Sequence, residues 1–186
     1  MLSGLIGLLA MGQLAMPTKP VVVNAIDIAG VKRPIPDPAS KATVVIFVMT
    51  DCPIANRMAP EISRICQDYA SKSVSVRLAY VDSTATQADV EKHLKAYGHS
   101  CPAYLDSKRV LAKNLGASVS PEAIVLDSKG KMQYRGRIND LYESGHGKPK
   151  PKATVQDLRA ALDEVLAGKK VTNPVVGAIG CYISPP

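Results

Sequence analysis

The chain has 186 residues with 46% apolar content and a formal net charge of +7, and it contains seven Tyr, one Phe and no Trp. This composition excludes an intrinsically disordered chain, and the length fits one ordinary domain. Because aromatic side chains are scarce, stacking platforms for bases are not expected. No nucleic-acid partner is predicted.

The N-terminus is an apolar stretch with small residues near its end. The run LSGLIGLLAMGQLAM precedes Pro17, and it is shorter than the roughly 20 residues that a transmembrane helix needs. It is similar to the hydrophobic and cleavage regions of an export signal, although a basic start is missing. Residues 1–16 are therefore predicted to be a leader, and 17–186 a single domain. The protein is expected to be periplasmic or otherwise extracytoplasmic, with tethering by an uncleaved leader as the alternative.

Strands and helices alternate along the first two thirds of the domain. The Pro-rich residues 17–43 contain one short predicted strand, within VVVNAIDIAG. The continuous β-branched run 42–49 indicates a strand that is covered on both faces. Apolar spacing then predicts, in order, a helix from Pro53 to about Lys72, a strand at 74–82, a helix at 87–97, an extended AYLD and a short helix at 108–115.

The last third predicts a hairpin, a helix and a tail. EAIVLDSKGKMQYRGRI has two apolar strands around an Asp-Ser-Lys-Gly turn. Thr154 is positioned to cap a final helix that ends at Gly168. The tail 170–186 is interrupted by glycine and contains Cys181. This order predicts an α/β fold in which a central mixed β-sheet is flanked by helices on both faces, with a C-terminal β-hairpin and helix.

Cys52 is the first candidate for chemistry. It lies where the strand 42–49 ends and where Pro53 begins a helix, a position that suits proline. Helix N-terminal amides stabilise an anion, and such placement lowers a thiol pKa from about 8.5 into the range of about 3.5–7.5. Because the thiolate is the nucleophile, Cys52 is predicted to be reactive. Arg57, about one turn along, would add positive potential.

The other three cysteines have different predicted roles. Cys66 lies within the helix on its apolar face and is interpreted as an inert packing thiol. Cys101 precedes Pro102 in a predicted exposed turn and is the first choice as the partner of Cys52. Cys181 in the tail is the alternative resolving thiol, and an external thiol is the third option. Four cysteines allow three full pairings, and sequence alone does not rank them.

No metal or cofactor is predicted. No two cysteines have the spacing of a zinc knuckle, and the three histidines, His93, His99 and His146, do not repeat at ligand spacing. They are interpreted as surface residues. Residues 129–152 carry seven cationic side chains. A solvated loop is the simpler interpretation, and docking to an anionic partner or a membrane surface is the alternative.

The motifs together resemble the thioredoxin-like superfamily, in its exported redoxin (AhpC/TSA, thiol–disulfide oxidoreductase) branch. The strand VVIFVMT runs into Asp51-Cys52-Pro53, and Pro60 has the offset of the family's helix-kinking proline. Ser120-Pro121 precedes AIVLD, where the family has a cis-proline opposite its active cysteine, and the hairpin also matches. The resemblance covers about residues 21–168. It implies a cis bond at Pro121 and a backbone edge for an extended substrate.

At three places the sequence differs from the motifs of related families, and each difference excludes or disfavours one activity. Ala55 occupies the second position of the Cys-x-x-Cys pattern, so a dithiol cycle within this loop is excluded. Val45 and Met49 stand where the peroxiredoxin signature has Pro and Thr or Ser, which disfavours peroxide activation by that constellation. Asn56 replaces the second cysteine of the Cys-x-x-x-Cys pattern in copper carriers, so copper binding is not expected.

The resemblance implies an exported thiol oxidoreductase with disulfide-exchange or antioxidant activity. Cys52, exposed and facing the Ser120–Pro121 turn, would attack a disulfide or a peroxide, and Cys101 would resolve the product. The pocket is expected to be shaped by Thr50, Pro53, Asn56 and Arg57, with Pro121 as the opposite wall. The expected partners are protein or small-molecule thiols and disulfides, or peroxide. The alternatives are a one-cysteine-type peroxidase and a non-catalytic binding module that docks through residues 129–152.

Overall fold

The computed structural model describes residues 16, 19–143 and 148–184. Most of the predicted leader and His146 lie outside these residues. Within them, no helix combines the length and the apolar character that are needed to cross a bilayer. The division into a leader and one domain stays a prediction.

A six-stranded mixed sheet forms the centre of the fold. Its spatial order is β5-β4-β3-β7-β8-β9, in which β3 is parallel to β4 and antiparallel to β7. These strands are β3 (Ala42–Val48), β4 (Val74–Tyr80), β5 (Ala103–Leu105), β7 (Glu122–Asp127), β8 (Met132–Gly136) and β9 (Val175–Val176). The predicted hairpin is β7–β8, and the predicted α/β fold with a mixed sheet is confirmed.

Strand β3 is buried along its whole length because both faces of the sheet are covered. Val44, Ile46 and Val48 belong to the core that also contains buried residues of three helices, α1 (Pro53–Ala70), α2 (Gln87–Tyr97) and α4 (Asp157–Leu166). Val45 and Phe47 belong to the core on the opposite face, which contains the short helix α3 (Val110–Leu115). Because side chains alternate between the two faces along an extended strand, β3 contributes residues to two separate cores, one on each face of the sheet.

Two features of the N- and C-terminal parts differ from the predictions. The Pro-rich region forms a hairpin of two strands, β1 (Val23–Ile26) and β2 (Lys32–Ile35), rather than one strand. Helix α4 begins at Asp157 with Gln156 rather than Thr154 at its N-cap, and the amide of Thr154 donates to Asp140 at 2.7 Å. The side chain of Thr154 is bound to the same carboxylate.

The C-terminal tail folds back and pairs with the segment that precedes Pro121. After β9, which lies parallel to β8, the chain forms the two-residue strand β10 (Cys181–Tyr182). β10 pairs antiparallel with β6 (Val119–Ser120), and the two make a small separate sheet. This pairing brings Cys181 beside the segment that precedes Pro121.

Candidate active site

Cys52 occupies the N-cap position of helix α1. Its backbone is extended, with φ −77° and ψ 109°, and its Sγ accepts the amide N–H of Ala55 at 3.5 Å. Pro53 fills the first helical position and has no N–H to donate. A cysteine at this point therefore meets the unpaired amides of the first helical turn, which can stabilise negative charge on sulfur.

The Ser120–Pro121 turn faces this sulfur directly. The thiol of Cys52 donates to the carbonyl oxygen of Ser120 at 3.0 Å, and the Ser120–Pro121 peptide bond is cis. The hydroxyl oxygen of Ser120 accepts the amide of Met49 at 2.9 Å. That second bond ties the turn to the end of β3, so the strand and the prolyl turn hold Cys52 between them.

Cys181 is the second cysteine at this site. Its Cα is paired with Ser120 in the β10–β6 register, and Ser120 is the residue whose carbonyl oxygen accepts the thiol of Cys52. Burial, followed by the hydrogen bond with Cys52 and the charge of that residue, raises the pKa of the Cys181 thiol to about 12. Both cysteines are free thiols in this structure. Two sulfur atoms thus share the N-terminus of α1.

The expectation that Cys52 is exposed is wrong. The residue is only 1% exposed, although it lies at the predicted helix terminus and faces the predicted turn. Cys181 of the tail packs against the same core cluster as Cys52. The sequence-based interpretation named Cys181 as an alternative resolving thiol but did not place the tail at the Ser120–Pro121 turn.

The predicted partnership of Cys52 and Cys101 is also wrong. Cys101 forms a disulfide with Cys66, with a Cα–Cα distance of 5.7 Å. Cys66 lies fourteen residues after Cys52, nearly all of them in α1, so the disulfide is about 21 Å along the helix from the site. Cys66 is therefore not a free packing thiol, and Cys101 is not placed to resolve a bond at Cys52.

The predicted supporting residues divide into two groups. Thr50 donates from its backbone N and from Oγ1 to a carboxylate oxygen of Asp82, at 3.1 and 3.0 Å. Asn56 donates to the backbone oxygen of Thr50 at 3.0 Å, which closes the loop around Cys52. Pro53 and Arg57 are exposed, and Arg57 makes no hydrogen bond or ion pair with any residue that the structure describes.

A buried polar chain extends from this loop, and sequence reasoning missed it. His93 is buried rather than a surface residue, and its Nε2 donates to Asn56 at 2.9 Å while its Nδ1 accepts from Tyr80 at 2.9 Å. Burial lowers the pKa of His93 and raises the pKa of Asp82. The sequence did contain a signal for this burial, because His93 lies three residues after Val90 and therefore on the same inward face of α2.

The basic region is partly neutralised within the molecule. Arg135, Arg137 and Lys150 form ion pairs with Glu122, Asp157 and Asp140, at 2.7, 2.7 and 2.6 Å. The alternative of an anionic partner therefore depends on the remaining lysines and stays a prediction. Among the described residues, no group of three or more His, Cys, Asp or Glu side chains could hold a metal ion.

Comparison with known proteins assigns the family. The Redoxin family model matches residues 37–146, so the chain belongs to the redoxin family of the thioredoxin-like superfamily, as the resemblance predicted. The match includes Cys52, Cys101 and Pro121, and it ends before Cys181. A search of curated proteins found no match.

Several solved structures share the fold. A hypothetical protein of Sinorhizobium meliloti has 29% identity and a TM-score of 0.80, covering 94% of this chain and 96% of its own. An uncharacterized conserved protein of Geobacillus kaustophilus has 25% identity and a TM-score of 0.79, with 94% of each chain covered. A secreted disulfide oxidoreductase of Mycobacterium tuberculosis has 16% identity and a TM-score of 0.55, covering 78% of this chain and 95% of its own. That last likeness shows the fold alone.

Proposed function

We propose that this redoxin is an extracytoplasmic thiol–disulfide oxidoreductase whose redox pair is Cys52 and Cys181. The observation that carries the proposal is that two free thiols, Cys52 and Cys181, both adjoin Ser120 of the cis-Pro121 turn at the N-terminus of α1. Cys52 is the nucleophile, because it is the N-cap and accepts the amide of Ala55. Cys181 takes the resolving role that the sequence first suggested for Cys101.

The reaction proceeds in two exchange steps. The thiolate of Cys52 attacks one sulfur of a substrate disulfide, a mixed disulfide forms, and the other substrate sulfur leaves as a thiol after protonation. The thiolate of Cys181 then attacks the sulfur of Cys52, which forms a Cys52–Cys181 disulfide and releases the second substrate thiol. The substrate gains two electrons and the protein loses two. The reverse sequence oxidises a substrate dithiol.

The surrounding residues keep the pair in position. Thr50 is tied to Asp82, and Asn56 is tied to both Thr50 and His93, so the loop that precedes Cys52 is held by side-chain hydrogen bonds. Pro53 begins the helix, exposed Arg57 adds a positive charge one turn along, and Pro121 forms the opposite wall. With peroxide as substrate, Cys52 would become a sulfenic acid, and condensation with Cys181 would release water.

The extracytoplasmic location is supported by one observation. The Cys66–Cys101 disulfide lies away from the proposed redox pair, and structural disulfides persist in oxidising compartments. The expected partners are protein or small-molecule thiols and disulfides.

Oxidation of the full chain with glutathione disulfide tests this function. Mass spectrometry of the product should find a Cys52–Cys181 peptide beside the Cys66–Cys101 peptide. The variant Cys181→Ser should accumulate glutathione on Cys52, and Cys52→Ser should lose exchange. The double variant Cys66→Ala/Cys101→Ala is the matched control and should still form Cys52–Cys181.

Three other outcomes would favour other functions. Unchanged exchange kinetics in Cys52→Ser would leave a non-catalytic binding module. Fast peroxide consumption that survives Cys181→Ser but not Cys52→Ser would favour a one-cysteine-type peroxidase. A disulfide between Cys52 and Cys101 would overturn the assignment of the resolving thiol.

A further inference from the structure

Within residues 177–184 of the tail, β10 (Cys181–Tyr182) lies as a short added strand along the edge of β6. Cys181 is paired with Ser120 and Tyr182 with Val119, and the amide of Ile183 donates to the carbonyl oxygen of Ser118 at 3.0 Å. These are backbone contacts, so they depend little on which side chains the added strand carries. The edge of β6 beside Cys52 is therefore a docking edge for extended polypeptide, and here the chain's own tail fills it.

Gly180 permits the close approach of the tail. A Cβ added at this position would overlap the backbone carbonyl of Ser120. Backbone atoms cannot yield as a flexible side chain can, so any larger residue at 180 must move the tail away from β6. A Cβ added at Gly177, earlier in the same segment, would meet nothing within 4 Å.

The tail is weakly held compared with the core strands. No residue from 175 to 184 is buried, and the side chain of Tyr182 is 85% exposed. β10 has only two residues, whereas β3 has seven that are all buried. Few buried contacts and a short ladder give a small free energy of local opening, so the tail can leave while the fold remains intact.

We propose, on the basis of the redox function above, that the tail is a displaceable strand that closes the active site against other polypeptides. A substrate polypeptide would dock in extended form on Val119–Ser120 only after β10 has left. The Cys52–Cys181 disulfide would fix β10 in place in the oxidised protein. A thiol reductant that donates two electrons and two protons would break that bond and free the tail. The reduced protein is thus the form that exchanges its own strand for a substrate strand, and β10 must return with Cys181 for the mixed disulfide on Cys52 to be resolved.

The experiment compares two glycine variants of the full chain. Both are made in a Cys181→Ser background, so that Cys52 is the one free thiol while Cys66–Cys101 stays bonded. Gly180→Ala should dislodge the tail, and Gly177→Ala is the matched control. The rate at which a bulky polyethylene glycol maleimide labels Cys52 should rise at least about tenfold in Gly180→Ala and stay unchanged in Gly177→Ala.

A binding assay reports the docking edge itself. The probe is a fluorescent peptide with the sequence of residues 177–184 and Ser in place of Cys, and it should bind Gly180→Ala more tightly than Gly177→Ala. Ile183→Pro, which removes the amide that donates to Ser118, is a second route to the open form if Gly180→Ala folds poorly. Equal labelling and equal peptide binding in the opened variants and the control would overturn the proposal. Neither readout needs turnover, so a failure here is separate from a failure of the redox function.

Discussion

Removal of the Cys66–Cys101 disulfide should lower stability without stopping the redox cycle. The bond joins residues 35 positions apart. A cross-link that closes a loop of this length restricts the unfolded chain by about 13 cal/mol/K, which corresponds to about 4 kcal/mol at 25 °C. The double variant Cys66→Ala/Cys101→Ala should therefore lose about 3–4 kcal/mol of the free energy of unfolding.

Urea unfolding followed by circular dichroism measures this loss, with every protein prepared so that Cys52 and Cys181, where present, are free thiols and Cys66–Cys101, where present, is bonded. The variant Cys52→Ser/Cys181→Ser is the matched control, since it also removes two sulfur atoms but breaks no bond in the reduced protein. Its midpoint should shift much less than that of Cys66→Ala/Cys101→Ala. A loss below about 1 kcal/mol in the latter would refute the entropic reasoning. Loss of its Cys52–Cys181 disulfide on oxidation would refute the separation of the two cysteine pairs.

Three further changes address the buried polar groups. Arg135→Met leaves the carboxylate of Glu122 buried without its ion-pair partner and should cost about 3–5 kcal/mol in urea unfolding; the double variant with Glu122→Gln should recover part of that loss. Burial, together with His93, lowers the pKa of His99 to about 4. The unfolded chain binds a proton on His99 near pH 6.5, whereas the folded protein binds it only near pH 4, so the free energy of unfolding should fall as the pH is lowered from about 6.5 to 4. The loss should be at most about 3 kcal/mol because the ring is partly exposed. In His99→Gln the free energy of unfolding should depend less on pH. Asn56→Ala leaves the inward nitrogen of His93 without its acceptor and should cost about 1–3 kcal/mol, with faster alkylation of the buried Cys52 as the loop loosens; unchanged unfolding would count against the buried chain.

The position of Cys52 at the helix N-terminus and the prolyl turn opposite it were predictable because their signals are local. A continuous apolar strand followed by Cys52-Pro53 and an amphipathic helix fixes a helix N-terminus within a few residues. Ser120-Pro121 directly before an apolar strand marks the turn, and the family resemblance joins the two. Each element needed only the residues beside it, and the parallel β3–β4 pairing follows from the alternation of strand and helix.

The cysteine pairing was not predictable because it depends on where separate elements meet. Cys66 has the position of an ordinary packing residue on the apolar face of α1. Its partner is decided by β5, which lies parallel to β4 and so brings Cys101, just before it, to the C-terminal half of α1. Neither segment has a sequence pattern that predicts the contact between Cys66 and Cys101.

The tail escaped prediction for a related reason. A two-residue strand has no measurable alternation, and its partner β6 lies about sixty residues earlier. The one local signal is Gly180 directly before Cys181, a small residue where two backbones approach closely. This glycine can be interpreted only once the structure shows that the backbone of Ser120 lies opposite it.

In the proposed cycle, the environment of Cys181 favours an order for the two exchange steps. Burial, followed by the hydrogen bond and the charge interaction with Cys52, raises the pKa of the Cys181 thiol to about 12. A raised pKa disfavours the thiolate, so the proposed first attack is made by Cys52 at the N-terminus of α1. The two contributions from Cys52 depend on its free sulfur. A mixed disulfide at Cys52 would remove them and make Cys181 easier to deprotonate at the stage at which it must attack.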